Sequence, residues 1–539
     1  MTGPPNRPPA ADLGTGAQPT GTAFAVSPHH LASQAGIDIM AAGGNAVDAS
    51  IAINAVLGVV APDTCGPGGD LFALVHLPES ATPLALNSSG RAGSGVTADD
   101  LRDRGLGEIP LYSPWSISVP GCVDGWHALS EELGNLTIGE CLAPAIEIAR
   151  DGFEVSVELA DSLRRLHSDL ILQESAGPLY PDHEPAPAGS TVKRARHAET
   201  LVSIASDGRE AFYEGEVGDA IIAATEGALT RDDLDVDQAE WIAPAQLQIF
   251  GRTGWTIPPN SQGYLTLATL WIFERLEPPE DPADPLYQHL LIEAYRSVAW
   301  ERQQYVTEPA TAPLAPEELL DTDRLARIAG SISRDHSTRW PTPQSALGGT
   351  AYMTASDSNG MAVSYIQSNY FGIGSRRSAG GTGIFLHNRG AGFNLIPGHP
   401  NEYMPGNRPM HTLAPTIWTR GEQLDLVLGT RGGDQQPQFL AQFAASFYHA
   451  GLSIEESQKQ PRWSMNQPEP GTDSSLTFEP RFPEATLVGL RDRGHAIDPG
   501  TPWNSGYGPI SAIDTGRDNA AAADPRVSTS AALALRSSD

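Results

Sequence analysis

Residues 348–369 read "GGTAYMTASDSNGMAVSYIQSN". Two short alternating runs, "AYMTASD" and "MAVSYIQS", flank Ser358–Asn359–Gly360, which is a hairpin signal. The first run opens on Thr350, directly behind the pair Gly348–Gly349. One reading of that pair is an ordinary turn entering a strand. The other is chemical. A threonine hydroxyl is a poor nucleophile until a base stands beside it, and a threonine at a chain's N-terminus carries its own. An α-amine titrates at about 7.7–8.0, so a useful fraction is free base at neutral pH. That reading requires a cut between Gly349 and Thr350. Glycines suit such a cut, because they permit the strained backbone that brings a hydroxyl onto the preceding carbonyl.

Downstream, "LDLVLGTRGGDQQPQFLAQFAASFYHAGL" reads as a strand, a Gly432–Gly433 turn and a helix from about Asp434 to His449, with Gly451 as its C-cap. Free N–H groups at such a turn, reinforced by the helix dipole, can hold an oxyanion. Each donor contributes about 3–4 kcal/mol in acyl transfer. The plainer alternative is a strand–helix turn capped by Asp434.

Upstream, "AVSPHHLASQAGIDIMAAGGNAVDASIAINAVLGVVAP" predicts two helices. Ser27 is the expected N-cap of the first, with Pro28 in its first turn, and Gly43–Gly44 end it. The second, from about Asn45 to Val60, is apolar nearly all round and therefore buried on several sides. A glycine-rich turn then leads into an apolar strand, Leu71 to His76. Residues 121–205 read as mainly helical, broken by the proline-rich 181–190. Helices dominate the first part of the chain and strands cluster around the second.

The composition excludes several classes. With 65 acidic against 34 basic residues the net charge is −31, which repels nucleic acid and anionic membranes. Lysine occurs only at Lys193 and Lys459, neither in a P-loop or a glycine-rich pyridoxal setting. Cys65, Cys122 and Cys141 form no CxxC and are expected to be buried. His29 and His30 are adjacent and cannot face one metal together, and no HExxH occurs. There is no GxSxG elbow and no dinucleotide fingerprint. Neither metal nor cofactor is expected. The start of the chain lacks an apolar signal core, and no run is long enough to span a membrane, so the expectation is a cytoplasmic protein with a disordered tail at 1–23.

Taken together, "AGGNAVDASIAINAVLGVVAP", "GPGGDLFALVH", "SVPGCVDGWHAL", "LAPAIEIARDGFEV", "EAFYEGEVGDAI", the threonine block, "RPMHTLAPT" and "GTRGGD" resemble the γ-glutamyltransferases, autoprocessed N-terminal-nucleophile hydrolases. The resemblance covers nearly everything after the tail. It implies an α+β fold of four αββα layers, with two stacked sheets between helices. It implies a nucleophile at Thr350, cleavage between Gly349 and Thr350, and oxyanion glycines Gly432 and Gly433. The large subunit is then 24–349 and the small one 350–539, partners from one precursor.

The substrate-binding pattern departs from the family. Its carboxylate-binding serine pair falls on His411–Thr412, and the acid that meets the substrate amine falls on Gly392. Its carboxylate-clamping arginine aligns with Ser89, two positions from Arg91. The threonine after the nucleophile is Ala351. An ammonium group without its acid is costly in a dry pocket, which argues against glutathione. Arg91, Ser368, Asn369, Arg389, His411 and Thr412 remain as substrate-binding candidates suited to a carboxylate. The variant motifs resemble the γ-glutamyltransferase-like branch that includes oxamate amidohydrolase. The expected activity is hydrolysis of a small carboxylate-bearing amide, with transfer to water or to an amine. Two alternatives stay open: a true γ-glutamyl enzyme, and an uncleaved, non-catalytic homologue.

Overall fold

The computed structural model describes residues 21–340, 349–466 and 475–535. Thirteen strands, in chain order, build two large sheets. They are β1 (Ala23–Ser27), β2 (Asp70–His76), β3 (Leu84–Ser88), β4 (Glu240–Ile242), β5 (Ala245–Ile249), β6 (Arg252–Thr256) and β7 (Gly349–Ser356). After them come β8 (Ala362–Tyr370), β9 (Thr416–Arg420), β10 (Gln423–Thr430), β11 (Ile510–Asp514), β12 (Ala520–Ala523) and β13 (Ala531–Leu535). The first sheet runs β13-β1-β7-β8-β2-β3-β4 and the second β12-β11-β10-β9-β6-β5, antiparallel throughout.

Alternation along the strands sorts the layers, because successive side chains leave opposite faces. On one face of the first sheet, Ala351, Met353, Val363, Tyr365, Leu71 and Ala73 pack with the helices His30–Ala41, Ala46–Val60 and Ile138–Asp151. On the other face Tyr352, Ile366, Phe72 and Leu74 meet Trp255, Ile417, Val427 and Ile513 of the second sheet. The outer face of that sheet, with Trp418, Leu426 and Leu428, is covered by Tyr264–Arg275, Pro285–Ala299 and Gln436–Ala444. The fold is therefore the expected αββα sandwich, with one core between the sheets and one under each helical layer.

The hairpin forms as read: β7 and β8 flank Asp357–Met361, and Gly360 takes the positive φ of 91° that the turn requires. Every residue of the Ala46–Val60 helix is buried, and Asn45 closes its N-terminus in a capping box with Asp48. The start of the preceding helix needs correction. Ser27 is the last residue of β1, and its hydroxyl bonds the His29 carbonyl and Ser33. The cap is His29, whose Nδ1 accepts from the Leu31 N–H at 3.3 Å. Most of the predicted tail lies outside the described residues, and Ala23 already belongs to β1. All three cysteines are buried. Among the described residues no helix is long and apolar enough to cross a membrane.

Candidate active site

Three polar positions fall on the inter-sheet face at one end of the first sheet. Thr350 is in phase with Tyr352, Ser368 with Ile366, and Asp70 with Phe72, all of which point between the sheets. Opposite Thr350 the β7–β8 ladder is irregular: Gln367 pairs with Ala351, but Tyr370, not Ser368 or Asn369, pairs with Gly349. Ser368 and Asn369 thus form a bulge facing one residue, a device that re-aims side chains beside active sites.

The bulge sends its two side chains to different places. Ser368 reaches the nucleophile candidate. Thr350, 1% exposed, donates from Oγ1 to Ser368 Oγ at 3.1 Å. Ser368 donates in turn to the Gly349 carbonyl oxygen at 2.7 Å, and it accepts from the Tyr370 N–H at 2.8 Å. Asn369 packs on the Gly66–Gly69 turn instead: a Cβ on Gly69 would stand 2.5 Å from its Oδ1. Gly348, the other half of the glycine pair, lies outside the described residues.

The glycine turn of the second sheet stands at the same end. β10 passes Tyr352 so closely that a Cβ on Gly429 would lie 1.9 Å from its ring, and Gly432 follows three residues later. Gly432 and Gly433 take φ of 135° and 58°, conformations that favour glycine. Among the described residues no hydrogen bond uses either N–H. The expected single helix is divided: a 3₁₀ turn Gly433–Gln435, an α-helix Gln436–Ala444 and a π-helical segment Ala445–His449. Asp434 does not serve as a cap. Its carboxylate pairs with buried Arg302 at 3.2 Å.

A chain of contacts joins the Thr350 end to this turn. Arg389, fully buried, lies with its guanidinium carbon 3.7 Å from the ring centre of Tyr370, the residue paired with Gly349. Its Nη1 donates to Thr412 Oγ1 at 3.2 Å. Gln262 Nε2 donates to the carbonyls of Thr412 at 2.8 Å and Gly433 at 2.9 Å. Burial lowers the Arg389 pKa to about 10, and it remains a cation at neutral pH.

His411 is drawn elsewhere. Its Nδ1 accepts from the Leu413 N–H, so Nε2 carries the proton and donates to Asp70 at 3.1 Å. The ring packs edge-on against Phe72, and burial, followed by the Arg389 charge, lowers its pKa to about 3. Asp70 also accepts from the Gly90 N–H at 2.9 Å and has His387 Nδ1 at 3.5 Å. Burial pushes its carboxyl upward, but His387 and His411 more than offset this and hold it well below the usual range. Arg91 has partners of its own beside the edge strand β4. It pairs with Glu240 at 3.3 Å, and its backbone N–H donates to Gln238. A Cβ on Gly392 would meet the Met410 carbonyl at 2.7 Å, so this position has little room for an acidic side chain.

Asp70, His387 and Gln262 were not singled out by the sequence reading. For Asp70 a signal exists: it stands in phase with Phe72 and Leu74, an acid in an inward-facing apolar stripe. His387 and Gln262 acquire meaning only from partners more than a hundred residues away. Among the described residues one group has metal-ligand spacing, His289, Glu293 and His495, with donor atoms within 4.8 Å of one another. Its own hydrogen bonds account for it. His289 bonds His495 at 2.7 Å and the Ser333 carbonyl at 2.8 Å, and Glu293 accepts from Thr338 and Trp340.

Comparison with known proteins finds relatives along nearly the whole chain. The gamma-glutamyltranspeptidase family model matches residues 32–534. The glutathione hydrolase-like YwrD proenzyme of Bacillus subtilis is 35% identical over 513 residues, covering 93% of this chain and 96% of the relative. The oxamate amidohydrolase proenzyme of Klebsiella pneumoniae is 34% identical over 501 residues, covering 91% and 94%. The crystal structure of cephalosporin acylase from Bacillus halodurans superposes with a TM-score of 0.90 at 31% identity, covering both chains completely.

Proposed function

The chain belongs to the gamma-glutamyltranspeptidase family of N-terminal-nucleophile hydrolases and acyltransferases, and from that premise we propose that it is an autoprocessed threonine amidohydrolase acting on a small carboxylate-bearing amide. The observation that carries the proposal is the placement of Ser368 between the Thr350 hydroxyl and the Gly349 carbonyl oxygen, at 3.1 and 2.7 Å. In the precursor, Thr350 Oγ attacks the Gly349 carbonyl carbon while Ser368 donates to the oxygen that gains charge. The peptide C–N bond breaks as the proton lost by the Thr350 hydroxyl reaches the nitrogen, leaving an ester on Thr350 and a free α-amine. Water hydrolyses the ester, so the large chain ends at Gly349 and the small chain begins at Thr350.

In turnover that α-amine takes the proton from Thr350 Oγ as the oxygen attacks the substrate amide. The unused N–H groups of Gly432 and Gly433 receive the developing oxyanion. The proton passes to the departing amine, an acyl-threonine ester remains, and water or a second amine releases it. Relatives whose names describe proenzymes, an oxamate amidohydrolase among them, support both the processing and the reaction class.

Mass spectrometry of the purified protein tests the reading. The expected result is two fragments, the smaller beginning at Thr350, with Thr350→Ala giving one intact chain and no amide hydrolysis. Amide turnover by an intact chain overturns it.

A further inference from the structure

The geometry points to the Nε/Nη2 edge of Arg389 as the receptor for the substrate's carboxylate, placed to read a carboxylate only a few atoms from the scissile carbonyl. This rests on the amidohydrolase reading above and names the substrate class for it.

Arg389 is fully buried, yet two of its three nitrogens, Nε and Nη2, have no hydrogen-bond partner. The third, Nη1, is occupied by Thr412. The two open nitrogens share one edge of the guanidinium. Their N–H bonds run parallel at the spacing of two carboxylate oxygens, which is the bidentate fork that makes arginine a carboxylate reader. A buried cation with open donors is costly unless something fills them. The nearby acids are engaged elsewhere: Asp70 with Gly90, His411 and His387, and Asp434 with Arg302.

Position supplies the substrate class. In the precursor, Gly349 is the acyl half of the bond to Thr350, so its site is where a substrate's acyl group lies once Gly349 has left. Tyr370 pairs with Gly349, and Arg389 lies on the Tyr370 ring at 3.7 Å. Tyr370 is itself held at a φ of 74°, unusual for a residue with a side chain and a mark of local constraint. The fork therefore stands beside the acyl site. The amide that fits bears its carboxylate close to the reacting carbonyl, as oxamate does. Gly392, where the family's acid falls, has little room for an acidic side chain to meet an α-ammonium.

The experiment compares oxamate with oxamide, which is nearly the same size but uncharged, on the wild type, Arg389→Lys and Arg389→Gln. The readout is the ratio of the two kcat/KM values, so a general loss of activity cancels. The expected result is a strong preference for oxamate that falls about 100-fold in Arg389→Gln. Arg389→Lys, which keeps the charge but loses the fork, should fall between them. An unchanged ratio in Arg389→Gln overturns the assignment. Thermal melting with oxalate gives a readout independent of turnover. Oxalate should stabilise the wild type and leave Arg389→Gln unmoved, and equal shifts in both proteins also overturn it. If the wild type is never cut and hydrolyses neither amide, the amidohydrolase reading fails, and the oxalate melt still decides whether Arg389 binds a carboxylate.

Discussion

Ser368 has one proton and three neighbours, and that count assigns its role. It donates to the Gly349 carbonyl, so it must accept from both Thr350 and the Tyr370 N–H. Removing the hydroxyl takes away the donor that meets the charge forming on Gly349 and leaves the Thr350 hydroxyl without its acceptor. We expect Ser368→Ala to cut before Thr350 about 10- to 100-fold more slowly than wild type, followed by denaturing gel after expression at low temperature. Ser368→Thr should process at near the native rate, because it keeps the oxygen. Equal processing by Ser368→Ala would remove Ser368 from the mechanism. That Thr350 stands at a strand start was legible in the sequence, because an alternating run directly behind a glycine pair is a local signal. Asp70 carried only the local sign of an acid in an apolar stripe; that it lies across from Ser368 on the neighbouring strand is a register that no short stretch contains.

At the scale of elements, the stacking of β10 on β7 sets the distance between Thr350 and the Gly432–Gly433 turn. Gly429 is what permits it. An alanine there would put its Cβ 1.9 Å from the Tyr352 ring, in a core where both sheets are fixed by their ladders. Gly429→Ala should therefore lose about 1–3 kcal/mol, an overpacking cost, measured by urea unfolding of the purified protein. It should also slow processing, since the sheets must part. Native stability in that variant would show that the contact is softer than the backbone geometry demands. The hairpin and the Ala46–Val60 helix were readable because turn residues and an all-apolar run are local evidence. Two helix starts were not. Ser27 has the right chemistry for a cap, but β1 is drawn into the sheet between β13 and β7 and consumes it. Asp434 likewise has cap chemistry, but buried Arg302 lies within reach and takes its carboxylate. In both places tertiary partners outcompete a local preference.

For the whole molecule, the consequence of a cut before Thr350 follows from the strand order. In the first sheet β8, β13 and all of β7 but Gly349 come after that point and β1, β2, β3 and β4 before it, and the order β13-β1-β7-β8-β2-β3-β4 interleaves them. Ladders between the two parts form at β13–β1, β1–β7 and β8–β2, and in the second sheet at β9–β6. The Arg302–Asp434 and His289–His495 contacts join the same two parts. The αββα class was legible through the motifs, whereas this interleaving was not, since it depends on pairings hundreds of residues apart. Separating the fragments would expose the edges of both sheets and divide the core between them, so separation amounts to unfolding. The cut protein should therefore elute from a sizing column as one particle, even at nanomolar concentration, and give two bands only after denaturation. Urea should release the fragments in the same transition that abolishes tertiary structure. Release at a lower urea concentration than the loss of near-ultraviolet dichroism would mean that the two parts are separately stable bodies, contrary to the shared sheets.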